Sequence, residues 1–138
     1  MRQILIDTGP LKGLLDAHDQ EHEAAKLLFQ RAEDAGLTPV CPHPVLLELH
    51  RLLMYRKPAR SNAVTRAHNA LEAVCHAYAT SYPDELDLKA ALSLLKRFTD
   101  QRITLTDATI ASMATRATAP VMTFDLHHFS MMGSEVLM

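Results

Sequence analysis

Four acidic residues stand where hydrophobic runs stop or inside an apolar helical stretch. Asp7 ends Ile4-Leu5-Ile6, and Asp125 follows Val121-Met122-Thr123-Phe124. Asp107 follows Ile103-Thr104-Leu105-Thr106 and opens an Ala-rich stretch, while Glu48 lies inside Val45-Leu46-Leu47-Glu48-Leu49. A carboxylate beside a core element is costly to desolvate, and several together repel one another. A divalent cation relieves both penalties. Carboxylate oxygens suit hard cations, so the pattern points to Mg²⁺ or Mn²⁺ and to chemistry on an anionic substrate such as RNA.

Other chemistries find less support. The eight histidines include no HExxH, and the two cysteines, Cys41 and Cys75, form no CxxC pair, so zinc lacks local ligands. His127-His128 is an adjacent pair that reads as structural or solvent-facing. No Ser-His-Asp or Cys-His arrangement stands out. Asp7-Thr8-Gly9 spells the aspartic-protease signature, but those enzymes are almost wholly β, and here a proline and a helical pattern follow. Each acid also has an ordinary reading. Asp7 and Asp125 suit helix caps or turns, and the helix dipole favours Asp107 in a first turn. Glu48 is the hardest to dismiss, because it neighbours the apolar row of its own helix.

The elements that must position these acids follow from periodicity. Residues 3–6 read as a buried strand, Thr8-Gly9-Pro10 as a turn, and 10–17 as a short helix. A second helix spans 20–35, with Gly36 as its stop. A short strand, 38–41, leads through Pro42 and Pro44 to a helix over 44–56, which Pro58 closes. A helix from 62 to 73 and a strand over 75–80 follow. Pro83-Asp84-Glu85 starts a helix through Phe98. Thr106 reads as the N-cap of a helix over 107–117, then a strand over 121–124 and an edge strand over 135–137. Strands alternating with helices predict a parallel sheet with helices on both faces, with Asp7 and Asp125 at strand carboxyl ends, where ligands sit. The 138 residues fit a single domain, 1–138.

The formal net charge is -2, yet Arg51, Arg56, Lys57, Arg60 and Arg66 fall within sixteen positions that hold no acid. A basic strip directly after Glu48 can steer a phosphate backbone toward a bound cation; the plainer reading is a solvated helix face. Two cysteines make no disulfide framework in a chain this long, and the opening residues form neither a signal peptide nor a membrane span. A cytoplasmic protein away from the membrane is the expectation.

Four segments together resemble the PIN-domain ribonucleases, and within them the VapC-type toxins of bacterial toxin–antitoxin pairs. Ile4-Leu5-Ile6-Asp7-Thr8 looks like the family's opening strand with its first acid. Pro44-Val45-Leu46-Leu47-Glu48-Leu49 looks like the second motif, and Leu105-Thr106-Asp107-Ala108-Thr109-Ile110-Ala111 like the third. Val121-Met122-Thr123-Phe124-Asp125 looks like the fourth. The ordered set spans nearly the whole chain. The resemblance implies a PIN-like three-layer α/β/α fold with a central, mostly parallel sheet, and Mg²⁺- or Mn²⁺-dependent cleavage of RNA. It implies that Asp7, Glu48, Asp107 and Asp125 hold the metal, that Thr123 orients an acid or a water, and that Thr8 assists. Arg51, Arg56, Lys57 and Arg60 are then the substrate-binding candidates. An antitoxin partner and a homodimer are implied as well. Relatives often carry Ser where Gly9 stands, and a further acid after the fourth motif where His127-His128-Phe129 stands, which bears on a second metal position. Alternatives are a PIN-like processing nuclease without an antitoxin, an inactive RNA-binding PIN module, and a receiver-like signalling domain. The last lacks a late lysine, since none follows Lys96.

Overall fold

The computed structural model describes residues 2–56 and 61–138. Its elements in chain order are β1 Gln3–Ile6, α1 Thr8–Leu15, α2 His22–Asp34, β2 Thr38–Pro42, α3 His43–Met54 and α4 Ala63–Ala77. Then come β3 Ala79–Ser81, α5 Glu85–Arg97, α6 Leu105–Ala117, β4 Val121–Met122 and α7 Leu126–Met131. The four strands form a sheet in the order β3-β2-β1-β4, and every pairing is parallel. Helices flank the sheet, giving the three-layer α/β/α architecture that the resemblance implies. Among the described residues no helix is long and apolar enough to cross a membrane.

The strand order carries the functional geometry. Chain progress runs from β1 outward to β2 and β3, then returns to the other side of β1 for β4. β1 is therefore the point where the winding reverses, and the crevice beyond its carboxyl end is where open parallel sheets hold ligands. Register completes the arrangement: Leu5 pairs with Val121 and Ile6 with Met122. The residues that follow, Asp7 and Thr123, are thereby brought side by side. The backbone N–H of Asp7 donates to the Met122 carbonyl at 2.9 Å.

The core explains why these short strands hold. Ile4, Leu5, Ile6, Val40, Cys41, Val121 and Met122 are buried almost completely, as expected for strands covered on both faces. They pack with Val45 and Leu49 of α3, Ile110 and Met113 of α6, and Phe129 of α7. Gly13 allows α1 and α2 to approach closely, since a Cβ there would meet the Ala25 Cβ at 3.1 Å and the Glu21 carbonyl oxygen at 3.2 Å.

Several expected boundaries differ. The first helix begins at Thr8, not at residue 10, because Asp7 caps it by accepting from the Thr8 N–H. The N-cap of α6 is Thr104 and not Thr106. The Thr104 side chain accepts from the Asp107 N–H, and the Asp107 side chain accepts from the Thr104 N–H, a reciprocal capping box that starts the helix two residues earlier. The expected strand over 75–80 begins only at Ala79, because α4 continues through Ala77. The segment 135–137 contributes a single parallel bridge, Val121 with Val136. α7 had no counterpart in the sequence pattern. Pro58 lies outside the described residues.

One buried acid serves the scaffold. Asp87 accepts from Arg116 Nε at 3.0 Å and Nη2 at 2.7 Å, tying α5 to α6. It also accepts from the Asp84 N–H in the α5 capping box. Arg116 holds the Asp87 carboxyl below its ordinary range, outweighing the opposing effect of burial. A depressed carboxylate stabilises the fold above its unfolded-state pKa, and that contribution disappears as pH falls through the folded value. Arg116→Ala is expected to cost about 1–2 kcal/mol near neutral pH, because Asp87 loses its cation, while solvent around the half-exposed guanidinium keeps the effect below that of a fully buried pair. The deficit should shrink in acid. Urea unfolding at neutral and acidic pH measures both, and an unchanged midpoint at neutral pH would show the pair to be dispensable.

Candidate metal site at the sheet switch point

Asp7 sits one residue past β1, buried, with 9% of its surface exposed. One oxygen, Oδ1, accepts from the Thr8 N–H at 2.8 Å, and Oδ2 accepts from the Thr123 hydroxyl at 2.7 Å. The Thr123 oxygen in turn accepts from the Asp125 N–H at 2.9 Å. A chain of hydrogen bonds thus runs from the end of β1 to the loop after β4. Beside it, the Thr8 hydroxyl is buried and has no hydrogen-bond partner among the described residues. A buried polar group left so is costly unless something else reaches it.

Charge sets the character of the site. The Asp7 carboxyl is pushed up from its ordinary 3.8 to about 6. Burial is the main cause, and the negative charges of Asp107 and Glu48 add to it. The hydrogen bonds from Thr123 and Thr8 pull the other way without cancelling the effect. Asp107 arrives on the first turn of α6, and Glu48 from the middle of α3, both half-buried. The charges on α3 and α6 are therefore felt at Asp7, just past the end of β1.

Asp125 belongs to the same end of the sheet but is held differently. It caps α7, with Oδ1 accepting from the His128 N–H at 3.2 Å. Its Oδ2 lies 2.8 Å from Nδ1 of the His128 ring. Thr123 thus links the Asp7 carboxylate to the Asp125 backbone, while the Asp125 side chain is engaged by His128.

The candidate residues fit a hard cation in kind, since all are carboxylates. Their spacing is looser than a finished cage. Among the described residues no three Asp, Glu, His or Cys side chains stand close enough to coordinate one ion as they are placed.

A PIN domain model matches residues 4–133 of the chain. The protein belongs to the PIN domain family. Solved structures with the same fold include VapC20 of Mycobacterium tuberculosis, a sarcin–ricin loop cleaving toxin. It is 22% identical, covers 96% of each chain and gives a TM-score of 0.76. VapBC2 of Rickettsia felis, bound to a DNA fragment from its promoter, is 16% identical over 98% of this chain and 96% of that one, with a TM-score of 0.69. A toxin–antitoxin complex from Klebsiella pneumoniae is 15% identical over 93% and 91%, with a TM-score of 0.67. At these identities the likeness establishes the fold. A comparison with curated proteins gave no match.

On this PIN scaffold the basic candidates separate. Arg51 is exposed on α3 and lines a groove of about 760 Å³ together with Glu48, Thr106 and Asp84. Arg56 forms an ion pair with Asp16 instead, near the end of α1, so its charge is already compensated. Lys57 and Arg60 lie outside the described residues. Gly9 faces Phe124: a Cβ there would meet the Phe124 ring at 3.3 Å, so a larger residue would press on the loop between Thr123 and Asp125. Sequence reasoning missed His128. The available signal was its position three residues after Asp125, the place from which a helical side chain reaches back to its own cap.

Asp7 carries a stability signature with a definite sign. A raised carboxyl pKa means that the native state holds the proton more tightly than the unfolded chain. Stability therefore falls as pH rises from about 4 through about 6, when the buried group must ionise. Asp7→Asn is expected to stabilise the metal-free protein near pH 8 by up to about 3 kcal/mol, with the gain vanishing below about pH 4. Thermal melts across that range check it. A variant less stable than the parent at high pH would show that the Asp7 charge is compensated in the fold.

Proposed function

We propose that this PIN-domain protein is a metal-dependent endoribonuclease, the toxin of a VapBC-type toxin–antitoxin pair, which hydrolyses RNA phosphodiesters. The observation that carries the reading is Asp7: a carboxylate at the sheet switch point whose proton affinity is raised chiefly by burial and further by the charges of Asp107 and Glu48. Such a site is expensive for the apoprotein and favourable for a cation. The sarcin–ricin loop cleaving activity of VapC20, on the same fold, supports RNA as the substrate class.

Asp7, Glu48, Asp107 and Asp125 would hold Mg²⁺ or Mn²⁺. When bound, such an ion acidifies a water and neutralises charge on the scissile phosphate. The protein's own residues do the positioning. Thr123 fixes the Asp7 carboxylate from one side and the Thr8 N–H fixes it from the other. The Thr8 hydroxyl, buried and without a partner among the described residues, is available to a water or a substrate oxygen. Arg51 at the groove would attract the phosphate backbone, and Lys57 and Arg60 follow it in the same basic stretch of sequence. Asp7 must lose its proton to accept a cation, so affinity rises as pH climbs through about 6.

In this reading the protein acts in the cytoplasm as a homodimer and is restrained by an antitoxin, as the Klebsiella complex supports. Exposed Leu47, Leu88 and Leu105 border the groove beside Glu48 and offer apolar contact for an antitoxin segment, and an arginine on that segment would meet the carboxylates.

The decisive assay is RNA cleavage by the purified protein with Mn²⁺, with chelator, and with Asp7→Asn or Asp107→Asn. Cleavage is expected only with metal, and each variant should lose at least about 100-fold in rate while keeping its circular dichroism spectrum. Metal at 100 times its Kd should also stabilise the parent by about 2.7 kcal/mol. Full cleavage by both variants would refute the assignment.

A further inference from the structure

The Asp125 carboxylate is held more firmly than a helix cap requires. One N–H, from His128, already satisfies the cap through Oδ1 at 3.2 Å. The ring of the same residue then takes the second oxygen, with Nδ1 2.8 Å from Oδ2. The far side of the ring is anchored too: Nε2 lies 3.2 Å from the Gln101 side-chain oxygen. His128 is half-buried, and Phe129, the next residue, is buried completely, so α7 is a fixed base for the ring. A glutamine amide can turn either its oxygen or its nitrogen toward Nε2. The Asp125 carboxylate can only accept, so the bridge takes the tautomer with the proton on Nδ1, which donates to Oδ2. Nε2 then accepts from the Gln101 amide nitrogen once the amide is turned, and the bridge does not require a charged imidazolium.

Gln101 is placed to matter. It lies in the connection between α5 and α6, where its backbone N–H donates to the Phe98 carbonyl at 3.0 Å. Three residues later Thr104 enters the capping box with Asp107. The bridge Asp125–His128–Gln101 therefore joins the loop that carries the fourth acid to the connection that delivers the third. The first acid joins the same network through Thr123. Metal sites in general depend on such outer partners, which orient the ligating groups.

We propose that His128 and Gln101 are positioning residues that set the orientation of Asp125 and its distance from Asp107, and so tune cation affinity. This deepens the nuclease reading and rests on it. The pair acts through Asp125, without touching the substrate itself.

The test is Mn²⁺ binding by calorimetry, alongside RNA cleavage, for the parent, His128→Ala, His128→Asn, Gln101→Ala, the Ala double variant and Asp7→Asn. His128→Ala should weaken Mn²⁺ about 10- to 100-fold. Gln101→Ala should weaken it less, and the double variant no further than His128→Ala alone, because the two act as one unit. His128→Asn, whose amide can still donate to Asp125, should recover part of the loss. A merely structural role would lower the melting temperature and leave the affinity of the folded protein unchanged. If His128→Ala does not fold, Gln101→Ala and His128→Asn carry the same comparison. Parent-like Mn²⁺ affinity in all folded His128 and Gln101 variants, with Asp7→Asn impaired, overturns this inference and spares the nuclease reading. No Mn²⁺ binding by the parent, or undiminished binding and cleavage by Asp7→Asn, overturns both.

Discussion

Burying Asp7 takes a carboxylate out of water at the one place in the sheet where the winding reverses. The pairing of Ile6 with Met122 makes this unavoidable, because the residues after two paired parallel strands must emerge together. Thr8 and Thr123 satisfy both Asp7 oxygens, so the hydrogen-bonding side of the problem is solved locally. The charge is not. Asp107 and Glu48 approach on α6 and α3, helices that pack on the same sheet, and their negative charge deepens the penalty. Much of the site follows from this unresolved charge.

The contrast with Asp87 is instructive. Both are buried aspartates near helix starts. Asp87 has Arg116 across the α5–α6 interface, and its carboxyl falls below the ordinary range. Asp7 has acids for neighbours, and its carboxyl rises to about 6. One acid is neutralised from within the chain and stabilises the scaffold. The other has no ion pair among the described residues, which is the condition under which an external cation is bound most favourably. A single residue type thus serves packing in one place and the proposed chemistry in another, and the sign of the nearest charge separates them.

The helix starts show a second economy. Asp7, Asp107 and Asp125 each accept a backbone N–H as part of a cap or capping box. Capping fixes the direction in which each side chain leaves the backbone before any ligand arrives. The ordinary structural reading of these acids and the functional one are therefore compatible: the same bond that starts the helix aims the carboxylate.

Local pattern made much of this legible. Apolar runs without alternation marked β1 and β4 as buried strands, and the alternation with helices indicated a parallel sheet whose carboxyl ends matter. The resemblance carried by Asp7, Glu48, Asp107 and Asp125 indicated the PIN family. What local pattern left open was anything that needs two distant segments at once. The α6 boundary was misplaced because Thr104 and Thr106 are equivalent by propensity, and only the reciprocal bond to Asp107 separates them. Arg56 looked like a free cation until Asp16 appeared beside it. His128 looked idle until Asp125 and Gln101 closed on its ring. Composition and periodicity report on one stretch of chain at a time, so they indicated most of the elements, though not α7, and which residues carry charge. Register and packing alone decided which charges meet, because electrostatic and hydrogen-bond energies depend on distances of a few ångströms between residues as far apart in the chain as Asp7 and Thr123, 116 positions.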